Sequence, residues 1–315
     1  MTKEWKLHLQ ENNAHTPIRF GQADEDAIAD LSSHFGLIKV SGEDAEKFLQ
    51  GQFTNDVRQV TDSRSQLSAW CSAKGRIIVN FRLFKRDNAY CLFLPQESIA
   101  TTLKRLRMYV LRAAVKLEEA TKEVCVGIAG SNSTQILKDC LGFAPPSEIN
   151  GCLTQDQVTV LQIPGIQARY LVFTENPQKI RQCAAKTAQV AGVDAWQLLD
   201  ILAGLPQIMP ATSESFVPQM VNYEALGGVS FKKGCYTGQE VVARLQYLGS
   251  LKRRMYLAKI ETASLPQPGD EVYVGEQNVG KVVNAATHPD GGVVALVVIQ
   301  ISSAAGSDDI YWRDQ

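Results

Sequence analysis

The stretch that decides the reading is Phe231-Lys232-Lys233-Gly234-Cys235-Tyr236-Thr237-Gly238-Gln239-Glu240-Val241-Val242-Ala243-Arg244-Leu245-Gln246-Tyr247-Leu248-Gly249. Two glycines bracket a cysteine that follows two lysines, and an apolar helical run comes next. Thr237 and Glu240 have the three-residue spacing of a capping box, so the helix is expected to start just after Cys235. A helix N-terminus and adjacent ammonium groups both favour a thiolate over a thiol. That arrangement makes a reactive cysteine without a histidine. The same spacing suits a small cysteine packed at a tight turn, and the residues alone leave both readings open.

Upstream, Gly36 to Val40 reads as a short strand. A helix follows from Ser41, the expected N-cap, with acids in its first turn and Gly51 at its end. Gln66 to Ala73, Ile77 to Lys85 and Ala89 to Leu94 read as a meander, and Pro95 to about Tyr109 as a helix with Ile99, Leu103, Leu106 and Val110 on one side. From Thr121 the pattern is strand (Glu123 to Ala129), helix (Ser133 to Leu141), strand (Val158 to Ile163), strand (Ala168 to Thr174) and helix (Pro177 to Val190), a βαββα order suited to a small two-layer unit. Asp194 to Gly204 reads as a helix with Asp194 as N-cap and Gly204 just past its end. Beyond Lys252 strands dominate: Arg254 to Glu261, Glu271 to Val274, Val279 to Ala286, Val293 to Ile301 and Asp309 to Arg313, the pattern of a small antiparallel barrel. The first twenty or so residues lack a clear period and read as a loose arm.

The chain has 315 residues, enough for about two domains. Its net charge of −1 argues against non-specific coating of nucleic acid. The longest apolar run, the seven residues Val293 to Ile299, is far short of the roughly 20 that a membrane span needs, and the polar N-terminus shows no signal peptide. Seven cysteines in mostly apolar contexts read as reduced thiols of a cytoplasmic protein. Four scattered histidines and the absence of HExxH, CxxC, GxGxxG, GxxxxGK[ST] and GxSxG leave no metal, nucleotide or serine-hydrolase site to propose.

Gly227 to Glu240, with the core Lys-Gly-Cys-aromatic-x-Gly-Gln-Glu, resembles the signature of the YgfZ-type folate-binding, tRNA-modifying protein family. Phe48 to Val57 is similar to that family's first motif, Ala73-Lys74-Gly75-Arg76 with Arg82-Leu83-Phe84 to its second, and Trp196 to Pro206 to its third. The resemblance implies kinship with the glycine-cleavage aminomethyltransferase and an α+β fold of three parts. These are a discontinuous α+β domain (20–120 plus 192–250) that binds folate, a ferredoxin-like domain (121–191) and a C-terminal antiparallel β-barrel (251–315).

By resemblance, Phe35 and Trp196 fall on the aromatic positions that bind tetrahydrofolate or a derivative, although both residue types also suit a core. Cys235 is the implied reactive thiol, with Lys233 tuning it and Gly234, Tyr236, Gly238, Gln239 and Glu240 completing the motif. Two departures stand out. Leu202 occupies the place where the aminomethyltransferases carry a pterin-holding carboxylate. Ile77-Ile78-Val79-Asn80 lacks their catalytic acid, so aminomethyl transfer has no evident general acid or base. The implied role is an accessory protein rather than a classical enzyme, serving iron–sulfur enzymes or their assembly proteins and, through them, tRNA thiolation. The alternatives are a folate-dependent one-carbon transferase and a non-catalytic scaffold that has lost folate. Lys104, Arg105, Arg107 and Arg112, and Lys252, Arg253 and Arg254, form two basic clusters suited to phosphate or to a solvated face. No basic stripe is interleaved with aromatics, so the tRNA link is expected to be indirect.

Overall fold

A computed structural model describes residues 4–9 and 26–313. Three sheets organise them. A five-stranded sheet runs in the order Gln66–Cys71, Ile77–Arg86, Ala89–Pro95, Phe35–Ser41 and Lys116–Glu119. Its second strand, Ile77–Arg86, is buried at every position but Lys85, because both faces are covered. On one face lie helix α1 (Ala45–Gln52) and helix α2 (Gln96–Arg107), which bring Phe48, Leu49, Ile99, Leu103 and Leu106 onto Ile38, Val40 and Leu92. The α2 contacts recur at the 3–4-residue spacing of an amphipathic helix.

A six-stranded sheet runs Gln189–Ala191, Ala27–Asp30, Val124–Ala129, Arg169–Thr174, Val158–Ile163 and Cys152–Gln155. Its outer face carries α3 (Ser133–Leu141) and α4 (Gln178–Ala184), packed through Ile136, Leu137, Ile180 and Ala184. Its inner face meets the face of the first sheet opposite α1 and α2. There Phe84 stacks on Phe173 with ring centroids 4.8 Å apart, and Phe35 stacks on Phe93 at 4.9 Å. The third sheet is a closed barrel: Glu4–Leu9, Arg253–Ile260, Val293–Gln300, Gln277–Thr287, Glu271–Val274 and Ile310–Arg313. Closure leaves no free edge. Helix α5 (Val193–Leu202) lies at the seam, sending Trp196 into the core between the two open sheets and Leu198 and Ile201 into a cluster shared with barrel residues Val283 and Leu296.

Several expectations are corrected. Glu4–Leu9 is not a loose arm: it pairs with Arg253–Ile260 and Ile310–Arg313 and completes the barrel. Trp5, Leu7 and Leu9 alternate with polar residues, a two-residue period over a segment too short to stand out. The rest of the arm, and the start of the central unit at residue 20, lie outside the described residues. Ala27–Asp30, grouped with the central unit, belongs instead to the six-stranded sheet. Ser41 ends a strand. The N-cap of α1 is Asp44, whose carboxylate accepts the Ala114 N–H rather than capping the helix. Gly192, not Asp194, caps α5, and Gly204 takes the left-handed φ of +67° expected just past its end. Finally, the cysteines are not all reduced. Cys140 on α3 and Cys183 on α4 form a disulfide, their Cα atoms 5.5 Å apart, because both helices lie on the same face of one sheet.

Candidate functional site

Two regions collect the residues singled out above. The first is the cysteine segment, which is built by interlocking motifs. Thr54 donates its hydroxyl to the Gly228 carbonyl and accepts the Ala69 N–H, and the Asn55 side-chain amide donates to the carbonyls of Leu67 and Gly227. The Lys233 side chain runs inward and its ammonium donates to the carbonyls of Gln50, Phe53 and Asn55 at 2.7, 2.5 and 3.0 Å. It lies 5.1 Å from the centroid of the buried Tyr236 ring, a cation–π distance. Burial pulls the Lys233 pKa down to about 8, with Asp56 opposing. The lysine expected to tune the thiol is therefore committed to three backbone carbonyls, and its contacts are those of a staple between the first motif and the last.

Cys235 is exposed, on the turn between Lys233 and Tyr236. The following helix α6 (Gln239–Tyr247) begins four residues later. Its N-cap is Gly238, at φ +83°, with no side-chain cap, so the expected Thr237–Glu240 capping box is not formed. Glycine is required there, since a Cβ would lie 2.3 Å from the Ser72 carbonyl oxygen. Gln239 turns back to accept the Tyr236 N–H, whereas Glu240 faces solvent and pairs with Arg244 one helical turn on. Lys233, Tyr236, Gly238 and Gln239 thus fix the shape of the loop that presents Cys235, and Glu240 stands apart from it. Cys71, Cys91, Cys125 and Cys152 are buried, and burial pushes their thiols up, to about 12 for Cys71, Cys91 and Cys152. Cys235 is the only free thiol with ready access to solvent among the described residues.

The second region is a cleft beside α5, made of two adjoining cavities of about 190 and 70 Å³. Phe35, Phe93 and Trp196 wall the smaller one, and Asp200, Leu205 and Gln207 line both. The two aromatic residues expected from the sequence are thus brought together, although each is also packed in the core. Trp196 is 3% exposed, lies under the Arg169 guanidinium at 5.1 Å, and sits so close to Gly127 that a Cβ there would be 2.6 Å from its ring. Leu202 points elsewhere, into the cluster shared with the barrel.

Sequence reasoning missed the polar centre of this cleft. Asp200 is 7% exposed and accepts from Arg169 Nη2 at 2.8 Å and Gln207 Nε2 at 3.0 Å. Burial pushes its carboxyl up, while the Arg169 charge pulls the other way. Arg169 is 1% exposed. Asn80, one of the positions noted for lacking an acid, holds the chain after α5: its amide donates to the Pro206 carbonyl and accepts the Ile208 N–H. The only available signal for Asp200 was its position four residues after Trp196, on the same helical face. The cleft's aromatic wall and buried acceptor fit a flat heterocycle bearing N–H donors. Its volume is below the roughly 300–1,000 Å³ of sites that enclose a whole ligand, so a head group fits and a long tail extends out. No helix among the described residues is long and apolar enough to cross a membrane.

Comparison with known proteins agrees with this architecture. Residues 24–170 match the GCVT N-terminal domain family. The tRNA-modifying protein YgfZ of Escherichia coli is 34% identical over 84% of this chain and 83% of its own, and that of Photorhabdus laumondii is 35% identical over 76% and 72%. The YgfZ of Colwellia psychrerythraea is 33% identical over 79% and 76%. The crystal structure of glycine cleavage system aminomethyltransferase T from Bartonella henselae superposes with a TM-score of 0.74, covering 96% of this chain and 86% of that one at 15% identity. The α+β fold with a C-terminal antiparallel barrel is therefore that of aminomethyltransferase T, and the chain belongs to the family of the tRNA-modifying protein YgfZ.

Proposed function

We propose that this chain is a cytoplasmic folate-binding accessory protein of tRNA modification, acting through the upkeep of iron–sulfur enzymes that thiolate tRNA, with Cys235 as its reactive thiol. The observation that carries the reading is the presentation of Cys235. The first motif and the last, 180 residues apart in sequence, converge to hold one loop, and that loop presents an exposed cysteine. A packing cysteine needs no such frame. Kinship with YgfZ supplies the link to tRNA modification, and the aminomethyltransferase fold supplies the expectation of folate.

Folate would be held by its pterin ring in the cleft beside α5, with Phe35, Phe93 and Trp196 as walls, and would supply one-carbon or redox chemistry there. The chain's own residues position the ring and keep water from its buried face. Catalysis of aminomethyl transfer has little support, because Asn80 is occupied as a backbone latch where an acid would be needed.

The test is complementation of a deletion strain with Cys235→Ser, scored by thiolated nucleosides in tRNA and by activity of iron–sulfur enzymes. Loss of both with normal protein abundance supports the role, and full restoration overturns it. Saturable tetrahydrofolate binding under anaerobic conditions, weakened by Trp196→Ala, tests the folate half. No binding at millimolar ligand would leave a scaffold without a cofactor.

A further inference from the structure

Of the ten large apolar side chains exposed among the described residues, six lie in two short stretches: Met108, Tyr109 and Leu111 after α2, and Val241, Tyr247 and Leu248 on α6 and at its end. Leu111 is 90% exposed and its backbone is left-handed, at φ +44°. That conformation is unfavourable for a residue with a side chain, and nothing inside the fold gains from it. On α6 only Val242 is buried. Val241, Leu245 and Leu248 follow one another at i, i+4 and i+7, the spacing of an apolar stripe, and both ends of the stripe are exposed. Contacts join the two stretches. A Cβ on Gly75 would lie 2.8 Å from the Val241 Cβ, so α6 sits against the turn at residues 72–76. Arg76 of that turn donates to the Ser215 carbonyl at 2.6 Å, and the neighbouring Glu214 pairs with Arg105 of α2 at 3.2 Å. Arg105 lies over the Trp70 ring, which meets the Tyr109 ring edge-on at 5.8 Å. One strip of surface therefore runs from the Cys235 loop along α6 to the turn at residues 108–111.

The strip is also basic. Glu214 and Glu240 are already paired, with Arg105 and Arg244. Lys74, Lys104, Arg112 and Lys232 are exposed and have no carboxylate partner among the described residues. The whole chain has a net charge of −1, so this excess is local. Exposed apolar side chains gathered in one patch mark a contact surface, and the cations among them call for an acidic partner. Nucleic acid is the weaker match. Its bases stack on aromatic rings, whereas Met108, Leu111, Val241 and Leu248 are not aromatic and gain by burial against another apolar surface. We propose that the strip is the docking face for an acidic protein, whose carboxylates meet these cations and whose apolar residues cover α6 and the 108–111 turn. This rests on the reading of Cys235 as the reactive thiol and deepens it, by naming the kind of surface that is brought to the thiol.

The experiment uses the full chain and two synthetic peptides of about twenty residues, about 30 Å long as helices. Both carry leucines at i, i+4 and i+7; glutamates flank them in one peptide and lysines in the other. Each peptide ends in a cysteine activated as a 2-thiopyridyl disulfide. Cys235 Sγ attacks the peptide sulfur, a new S–S bond forms as the old one breaks, and the thiol proton leaves with the released pyridinethione, whose absorbance gives the rate. At low salt the acidic peptide is expected to react about tenfold faster than its basic twin or more, and high salt to shrink that advantage. Leu111→Asn and Leu248→Ser, both on the surface, are expected to cut the advantage severalfold while leaving the rate with a small neutral thiopyridyl disulfide unchanged, and Cys235→Ser to abolish the reaction. Equal rates for the two peptides overturn the docking face and leave Cys235 as a reactive thiol. Failure of the small disulfide to react overturns the reactive thiol and the docking face with it. Protection of Cys235 by transfer RNA, unchanged in the two leucine variants, overturns the protein assignment in favour of nucleic acid. Salt-sensitive self-association that those variants lose overturns it in favour of a second copy of this chain.

Discussion

The cysteine segment and the cleft beside α5 differ in how their chemistry is encoded. The cysteine segment is continuous and dense in unusual residues, and most of that density serves its shape: Lys233 is a staple, Gly238 allows a close approach, and Tyr236 is buried. The cleft is assembled from Phe35, Asn80, Phe93, Arg169, Trp196, Asp200 and Gln207, no two of them adjacent in sequence, yet it holds the buried ion pair. A local string of rare residue types marks backbone that must be held in one conformation. A site for a flat ligand needs only one or two residues from each of several elements.

That contrast can be broken or sharpened experimentally. The largest effect is expected at the cleft's ion pair. Asp200→Ala leaves Arg169 charged and unpaired at 1% exposure and should cost about 3–5 kcal/mol in urea unfolding, with much of the loss recovered in Asp200→Ala/Arg169→Met. If the double variant is no more stable than the single one, the pair is not the source of the cost. In the cysteine segment, Lys233→Met removes the donor from three carbonyls, and a loss of about 3 kcal/mol is expected, at about 1–3 kcal/mol for each buried group left unsatisfied. Stability unchanged by Lys233→Met would make Lys233 a tuning residue and not a staple.

Reduction of the Cys140–Cys183 bridge, which closes a loop of 43 residues, should lower stability by about 2–4 kcal/mol. Cys235→Ser, on an exposed turn, should change it by less than about 0.5 kcal/mol. Thiol titration tests the same division. The native protein should react quickly at one cysteine, the denatured protein at five, and the reduced denatured protein at seven. Fast reaction at a second native thiol would show that the burial of Cys71, Cys91, Cys125 and Cys152 is not maintained.

Another small effect concerns acid. Arg58 beside Asp56 holds that carboxyl down at about 2, against an ordinary 3.8. A carboxylate whose folded pKa is depressed contributes fully above the higher value, and its contribution is lost as pH falls through the lower one. Stability should therefore decline between about pH 4 and 2, and Asp56→Asn should flatten that slope by less than about 1 kcal/mol, since Arg58 is exposed to solvent. An unchanged slope would place the acid sensitivity elsewhere.

Hydrophobic period and turn residues were enough to place the barrel strands, the meander and α2, because each repeats over a long enough run with glycine or proline between runs. Glu4–Leu9 escaped notice because three alternating apolar residues carry too little periodicity. The capping expected of Ser41, Asp194 and Thr237 failed because neighbouring glycines and strand ends set those boundaries. Trp196 and Phe35 were legible through family resemblance, and Asp200 was not, because the aligned position two residues on holds leucine.

The sequence by itself determined the family, the order of elements and the identity of the cysteine loop, since these depend on local spacing and on strings of residues. Tertiary structure alone decided that Lys233 is turned away to three carbonyls, that Cys140 meets Cys183, that the N-terminal strand closes the barrel, and that Asp200 stands between the two cavities. Each of these is a contact between residues from 43 to more than 250 positions apart, or a burial that only packing creates. Their energies come from desolvation and pairing in three dimensions, which no window along the chain contains.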